Sequence, residues 1–462
     1  MRVLLIAYDN DSHIHWFPIG LGYLAAALRD AGHEVEIYNQ DQYHWPEEHL
    51  TAFLDSNCFD MVGLGVCAGY YQYRKLLAIS KAIRATKNYV FYVLGGHGPS
   101  PEPEFFLRKT RADAVVIGEG EETVVELANT LEGGGWLDKI KGLAHWEKGA
   151  VKTTEPRPAI KDIDSIPFPA WDLFPMDYYA LLRVAGAENR DRVFPVLSSR
   201  GCPYRCNFCY RMDDEARLRS ADSISEEIKE LRERYAINFI VFADELLMTS
   251  EKRAVELAEM LRRDHPGLKW SCNGRLNFAT PKVLTAMKEA GCVEINYGIE
   301  CFDDDVLAKM NKRLTTGQIN RGMQATWAAG ITPTPNFIFG SLGETAGTLW
   351  QSITFLLDEI GQKALRTIRP VTPYPGSDLY YYAIKRGLLK GPEDFYERAH
   401  VNSDLRSVNF TSMSDEKFDE CLLDANNVLI DAYFDRVKVD HKKQLATLYH
   451  DRDGAFRGFR QS

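Results

Sequence analysis

Three cysteines stand in the run Gly201-Cys202-Pro203-Tyr204-Arg205-Cys206-Asn207-Phe208-Cys209-Tyr210, with three and then two residues between them. Thiolates hold iron-sulfur clusters. Four ligands would close such a cluster for simple electron transfer, whereas three leave one iron open to a substrate or cofactor. A zinc site or three buried thiols would use the same residue types. Zinc takes four closed ligands, and no histidine or further cysteine lies within a few residues of the run. Ligand count and spacing together therefore favour an open cluster.

The surrounding chain must position that loop. Its 462 residues predict about three domains, and 45% hydrophobic content is ample for packed cores. A formal net charge of −10 without a basic block argues against nucleic acid as the main partner and for a small-molecule substrate. Nine cysteines, three of them already assigned, suggest no secreted disulfide framework. Cys272, Cys292, Cys301 and Cys421 have no ligand spacing and read as buried small hydrophobes. The opening apolar run is too short for a signal peptide. The apolar stretch 16–28 is well below a bilayer span, so a cytoplasmic protein without a membrane span is expected.

Strand and helix signals alternate from the start. Strands are predicted over 3–7, 35–38, 61–66, 89–94 and 114–117, with helices over 21–31 and near 74–84. This predicts a doubly wound parallel sheet over 1–135, whose ligands bind at the carboxyl ends of the strands. The glycine-rich loops there are 63–69, Gly95-Gly96-His97-Gly98 and Gly118-Glu119-Gly120-Glu121. GxGxxG is absent after the first strand, which disfavours a nicotinamide cofactor. A proline-rich linker with little regular structure is expected over 136–192. Six more strands follow in a 193–390 domain, near 194–198, 239–243, 269–272, 293–297, 334–339 and 367–371. Helices at 224–235, 253–263 and 281–290 separate them, making three quarters of a TIM barrel. The carboxy-terminal segment 391–462 begins irregular and becomes helical over 415 to about 449, with Phe418, Cys421, Leu422, Ala425, Val428, Leu429 and Ala432 as a packing face and no residue that names a substrate.

The cysteine run resembles the signature of the radical S-adenosylmethionine enzymes, in which an aromatic residue, here Phe208, precedes the last cysteine. The resemblance implies a [4Fe-4S] cluster on Cys202, Cys206 and Cys209 whose open iron is chelated by S-adenosylmethionine. Reductive cleavage would release a 5'-deoxyadenosyl radical that abstracts hydrogen from an unactivated carbon. The barrel's strand ends then resemble the family's cofactor contacts. Glu245, in Asp244-Glu245 where the family often shows Asp-Asp, would accept from the cofactor ammonium, and Arg275 would pair with its carboxylate. Glu300 would contact the ribose hydroxyls, and Gly340 through Glu344 would form the adenine platform. Each alone could be a surface charge, a turn or a helix cap; their recurrence at successive strand ends carries the reading.

The first domain resembles the cobalamin-binding domain that precedes the radical domain in one large branch of that family. The matching pieces include Pro18-Ile19-Gly20-Leu21-Gly22, Gly32-His33-Glu34-Val35, Gly95-Gly96-His97 and Gly118-Glu119-Gly120-Glu121. The cobalamin contacts implied are Gly20, Gly69, Tyr70, Gly95, Gly96, Gly118 and Glu119. Asp11-Ser12-His13-Ile14-His15-Trp16 begins like the Asp-x-His-x-x-Gly of free-standing corrinoid proteins but lacks the glycine, so His13 is not expected to ligate cobalt. The loop Cys67-Ala68-Gly69-Tyr70-Tyr71 would cover the lower face instead, or its tyrosines only pack the loop, and the domain could be inherited without cobalamin.

The expected architecture is α/β: a Rossmann-like cobalamin-binding domain, a partial (β/α)6 TIM barrel and a helical carboxy-terminal segment. The expected function is cobalamin-dependent radical methylation of an unactivated centre, with an external flavodoxin- or ferredoxin-like electron donor. The alternative is a non-methylating radical cyclase, dehydratase or rearrangement enzyme on a carbohydrate or secondary metabolite. A methylthiotransferase would need a second cluster from three amino-terminal cysteines, and only Cys58 and Cys67 precede the loop. A non-catalytic corrinoid or redox sensor would need no S-adenosylmethionine-binding strand ends.

Overall fold

The computed structural model describes residues 1–12, 14–213, 215–359 and 365–452. Two compact units are distinguished. One comprises Met1–Gly298, Gly317–Pro335 and Thr372–Val408; the other comprises Ile299–Thr316, Asn336–Val371 and Asn409–Ser462.

In the first unit, β1 (Arg2–Ala7), β2 (Glu34–Asn39), β3 (Met61–Gly65), β4 (Phe91–Gly95) and β5 (Ala114–Val116) form a parallel sheet in the order β2-β1-β3-β4-β5. Val3 through Ala7 are all buried, because helices on both faces of a parallel sheet leave no solvent side. Helix Ile19–Asp30 returns the chain from β1 to β2 and helix Tyr70–Arg84 from β3 to β4.

The sheet runs past the expected boundary at 135. β6 (Leu143–Glu147) and β7 (Ala150–Thr153) add to it antiparallel beside β5. The turn between them places Lys148 and Gly149 at φ of 50° and 83°, the left-handed pair that suits a two-residue hairpin. The expectation of a linker with little regular structure missed this hairpin because Asp and Pro dominate the flanks and mask two short strands.

The rest of 136–192 is packed as well. Ile163 and Ile166 sit on Tyr23 of the first helix, and Leu182 joins Val193 and Phe239 under the second sheet. Arg29 grips Asp172 in a bidentate pair at 2.7 and 3.0 Å. Proline-rich composition here marks an extended strap held by side chains.

The second sheet contains β8 (Val193–Val196), β11 (Phe239–Phe242), β12 (Lys269–Gly274), β13 (Cys292–Glu300), β14 (Thr332–Phe339) and β15 (Arg369–Pro370), in that spatial order. The β8/β11, β11/β12, β12/β13 and β14/β15 pairs are parallel. These six strands are those of the expected partial (β/α)6 barrel. Between β8 and β11 lies a small antiparallel ribbon of β9 (Ser199–Arg200) and β10 (Arg217–Leu218). Helices Ala221–Tyr235, Glu251–Asp264 and Pro281–Glu289 cover the outside, the first two capped by Ser220 and Ser250 side chains that accept from backbone N–H groups.

Residues 392–400, also of the first unit, pack on the first domain. Tyr396 stacks on Tyr73 at 4.9 Å and on Phe105 at 5.6 Å, and Lys109 meets Glu393 at 2.8 Å. In the second unit, helix Asp415–His450 buries Phe418, Cys421, Leu422, Ala425 and Leu429, while Val428 and Ala432 of the expected face are half-buried. Cys272, Cys292, Cys301 and Cys421 are buried free thiols. No helix among the described residues is long and apolar enough to cross a membrane.

Candidate active site

The β9/β10 ribbon clamps the two ends of the cysteine loop, pairing Arg200 with Arg217 and Ser199 with Leu218. Gly201 opens the loop at φ 78°, where a side chain would strain the backbone and a methyl would strike the Glu215 carbonyl. Cys206 is buried, Cys202 half-buried and Cys209 exposed, and none of the three is in a disulfide. The Cys209 N–H donates to the Cys206 carbonyl at 3.2 Å, a turn that holds these two together. Burial pushes the Cys202 thiol up, the Tyr204 backbone N–H draws it down, and Glu245, Cys206 and Arg275 act on it as neighbouring charges.

Strand ends support the loop from below. Asp244 is fully buried and accepts from Ser198 N at 2.9 Å, Ser198 Oγ at 3.0 Å and Ser199 Oγ at 2.5 Å. It therefore ties the start of the loop to the end of β11, and the neighbouring Glu245 is left exposed. Crowding by the surrounding protein pushes the Glu245 carboxyl up, with Asp213 and Asp244 adding to the effect and Arg211 opposing it. Arg275, after β12, is buried, and its guanidinium lies 3.5 Å from the centre of the Tyr204 ring, a cation–π contact with the cysteine loop. Asn273 Nδ2 donates to the Asp244 carbonyl at 2.8 Å and Asn296 Nδ2 to Asn273 Oδ1 at 2.9 Å. A polar ladder thus crosses β11, β12 and β13 at their carboxyl ends.

Glu300, Gly340 and Glu344 belong to the second unit. Glu300 closes β13 at φ 73°, uncommon for a residue other than glycine, and its carboxylate meets the buried Lys312 ammonium at 2.6 Å. Gly340 follows β14 with its Cα against the Phe418 ring. Glu344 curls back on its own loop and accepts from Gly340 N at 2.6 Å and Ser341 N at 2.7 Å. Burial pushes its carboxyl up to about 7, against the pull of those two N–H groups.

The cysteine loop also touches the first domain. Arg200 Nη1 meets Glu119 Oε1 at 2.8 Å and Arg200 Nη2 meets Glu121 Oε1 at 2.5 Å. Arg217 Nη1 meets Glu119 Oε2 at 2.8 Å, and Ile160 N donates to the same oxygen at 2.8 Å. Burial opposes ionisation of Glu119, but Arg217, Arg200 and the Ile160 N–H outweigh it and hold its carboxyl below the ordinary range. The Glu119 carboxylate is therefore committed to joining the loop after β5 to both ends of the cysteine loop. Tyr210, at the far end of that loop, has the His97 ring edge-on at 6.0 Å and lies against Gly376, which Pro101 also approaches.

The loops after β3, β4 and β5 meet one another at the carboxyl edge of the first sheet. Val66 N donates to the Gly95 carbonyl at 2.9 Å and Gly98 N to the Val66 carbonyl at 3.0 Å, and a side chain at Gly96 would collide with Val66. Gly118 N donates to Ser100 Oγ at 3.2 Å. Gly69 caps helix Tyr70–Arg84, and Tyr70 starts that helix with Arg74 6.0 Å over its ring. Gly20 and Gly118 have no atom within 4 Å of where a Cβ would stand. His13 lies outside the described residues.

Comparisons with known proteins match this arrangement. The Radical SAM superfamily profile covers residues 196–356 and the B12 binding domain profile covers residues 5–128. The chain is 32% identical over 400 residues to the uncharacterized methyltransferase PH0819 of Pyrococcus horikoshii, covering 84% of each protein. The chain belongs to the cobalamin-binding radical S-adenosylmethionine enzymes. It is also 27% identical to the anaerobic magnesium-protoporphyrin IX monomethyl ester cyclase of Rubrivivax gelatinosus, over 82% of this chain and 69% of that protein. Among solved folds it is similar to the radical S-adenosylmethionine methyltransferase TsrM from Kitasatospora setae. There the TM-score is 0.68 at 20% identity, over 83% of this chain and 75% of that one. The cobalamin-dependent radical enzyme OxsB gives 0.67 at 20% identity, over 83% and 55%.

The residues suit the cofactors of a cobalamin-binding radical S-adenosylmethionine enzyme. Among the described residues no three metal-binding side chains converge on one ion-sized point. Three thiols on one clamped loop, with three and then two residues between them, suit a cluster whose thiolates each take a separate iron. Bare backbone at Gly20 and Gly118 leaves room for a flat ligand at the edge where such sheets bind theirs. Sequence reasoning missed Tyr204, Arg200, Arg217, Asn273 and Asn296. The two arginines flank the cysteine run at the ribbon's paired positions, but no spacing rule links them to Glu119. Gly22, two positions after Gly20, is close-packed, with its Cα facing Pro169 and Phe17.

Proposed function

We propose that this enzyme methylates an unactivated centre of a small molecule, using S-adenosylmethionine as radical source and cobalamin as methyl carrier. The observation that carries this reading is the direct junction of the two cofactor regions. The β5 loop of the B12 domain is ion-paired to both ends of the cysteine loop, and the β4 loop reaches Tyr210.

When bound, the cluster supplies the electron that cleaves S-adenosylmethionine and cobalamin supplies the methyl group. Cys202, Cys206 and Cys209 hold the cluster, with Phe208 packing beside the last. Glu245 accepts from the cofactor ammonium, and Arg275, braced by Tyr204, pairs with its carboxylate. Glu300 takes the ribose hydroxyls, and Gly340 with Glu344 shapes the backbone under adenine. Gly20, Gly69, Tyr70, Gly95, Gly96 and Gly118 line the corrin, and Glu119 acts through the loop it anchors. An external flavodoxin- or ferredoxin-like protein delivers the electron.

The test is anaerobic purification and cluster reconstitution, followed by extraction of bound corrinoid. Near-stoichiometric cobalamin, and label passing from the S-adenosylmethionine methyl group to the corrinoid, are expected. Iron and 5'-deoxyadenosine formation without cobalamin would refute the methylation reading. That result would favour the non-methylating alternative, which the likeness to the named cyclases supports.

A further inference from the structure

Side chains on a strand point alternately to its two faces. On β12 and β13, Trp270, Cys272, Ile295 and Tyr297 are buried toward the outer helices, where Trp270 Nε1 donates to the Ala290 carbonyl at 2.9 Å and the Tyr297 hydroxyl lies 3.0 Å from Thr326 Oγ1. Ser271, Asn273, Glu294 and Asn296 therefore line the inner face, with Ser271 beside Glu294 and Asn273 beside Asn296. Barrel interiors are ordinarily packed with layers of Val, Ile and Leu. A polar row in that place is the kind of lining that orients a ligand.

Glu294 is the charged member of the row and is only 8% exposed. Thr334 Oγ1, on β14, donates to its Oε1. Among the described residues no cation pairs with this carboxylate, nothing donates to its Oε2, and the neighbouring Ser271 hydroxyl has no hydrogen-bond partner. Buried carboxylates are ordinarily matched by a cation, because taking an unpaired charge out of water is costly. A carboxylate oxygen and a hydroxyl side by side on adjacent strands suit a primary ammonium, a compact cation with three donors and no acceptor.

The surroundings say how such a cation would arrive. Leu182 of the strap packs on Val193 and Phe239, with Val184, Ala187 and Val241 against them, and this apolar plug closes the amino end of the inner face. Strand register carries Glu294 across Ser271 to the level of Val241, four residues before Glu245. At about 3.3 Å per residue Glu294 therefore lies about 13 Å below the level of Glu245 and the start of the cysteine loop. Half-buried Asn273 and Asn296, joined at 2.9 Å, flank the way between the two levels. A ligand anchored on Glu294 has its far end at the level of the cysteine loop only if it is elongated.

We propose that Glu294, with Ser271, receives the ammonium of an elongated primary amine whose reacting carbon lies far from the nitrogen; this rests on the radical reading of the site and names its substrate class. The probe is pentylammonium, with pentanol as its neutral counterpart, titrated at pH 7 against the full chain with its cluster reconstituted and read by ligand-observed saturation-transfer NMR. Pentylammonium should bind with a dissociation constant of about 1 mM, in the range open to so small a ligand, and pentanol roughly tenfold more weakly. Glu294→Gln, which keeps an acceptor for Thr334 Oγ1, should weaken pentylammonium roughly tenfold or more. Ser271→Ala should weaken it about threefold. Absence of pentylammonium binding, pentanol binding as tightly, or binding indifferent to Glu294→Gln would each overturn the proposal and leave Glu294 as a partner of Thr334 in the fold. The pentanol comparison uses the unaltered chain, so it stands even where a variant does not fold. Neither ligand needs cobalamin, so a failure here leaves methyl transfer standing, and a chain without cobalamin leaves the amine site standing.

Discussion

Removing the Glu119 carboxylate tests whether the first domain is held to the cysteine loop by charge. Its side chain is 8% exposed and accepts from two guanidinium groups and one backbone N–H. Breaking a buried ion pair by deleting one partner costs about 3–5 kcal/mol. Here neither cation is stranded, because Arg200 keeps Glu121 at 2.5 Å and Arg217 keeps Asp213 at 2.6 Å. The lower end applies, so Glu119→Ala should cost about 3 kcal/mol of local stability. That corresponds to roughly 150-fold faster amide exchange in β9, β10 and the loop between them, read by hydrogen exchange and mass spectrometry. Exchange is a better readout than a melting curve, since a chain of several domains need not unfold in two states. Glu104→Ala is the control: its partner Arg108 is exposed, and little change is expected. Because Glu119 is held below the ordinary glutamate range, the tie is complete above that range and is lost as pH falls through the lowered value. Exchange in the ribbon unchanged within threefold in Glu119→Ala would refute the reasoning, as would acceleration spread evenly over the chain.

Two further predictions concern buried titrating groups with opposite signs. His400 is fully buried, stacked on Phe395 at 5.1 Å, and among the described residues neither ring nitrogen has a hydrogen-bond partner; burial lowers its pKa to about 4. Its neutral form is the folded form, so stability falls as pH drops from about 6.5, by about 2 kcal/mol at pH 5. His400→Phe should melt higher than the parent at pH 5, and an unchanged acid slope in that variant would refute the assignment. Glu344 is raised to about 7, so its folded form binds the proton more tightly than the unfolded chain does. Stability from this group is full below about pH 4.5 and is lost as pH rises through 7, by about 3 kcal/mol in all. Glu344→Gln keeps an acceptor for Gly340 N and Ser341 N and should flatten that dependence in urea titrations; a slope unaffected by the substitution would assign it elsewhere.

The amino-acid sequence by itself determined the cluster chemistry and the order of elements. Three cysteines within eight residues need no tertiary information to share a loop, and parallel strands buried on both faces read as apolar runs whatever surrounds them. The long terminal helix was legible for the same local reason, since its apolar spacing is a property of consecutive residues. Only the tertiary structure decided which carboxylates are open and which are committed. Asp244 and Glu245 are adjacent and chemically alike, yet one is fully buried on Ser198 and Ser199 and the other is exposed beside Cys202. Glu119 reads as a ligand-loop residue until Arg200 and Arg217, 81 and 98 positions away, are seen to occupy it. Such partnerships come from the packing of distant strand ends, where burial makes an unpaired charge costly and so selects its partner. No local spacing records that selection.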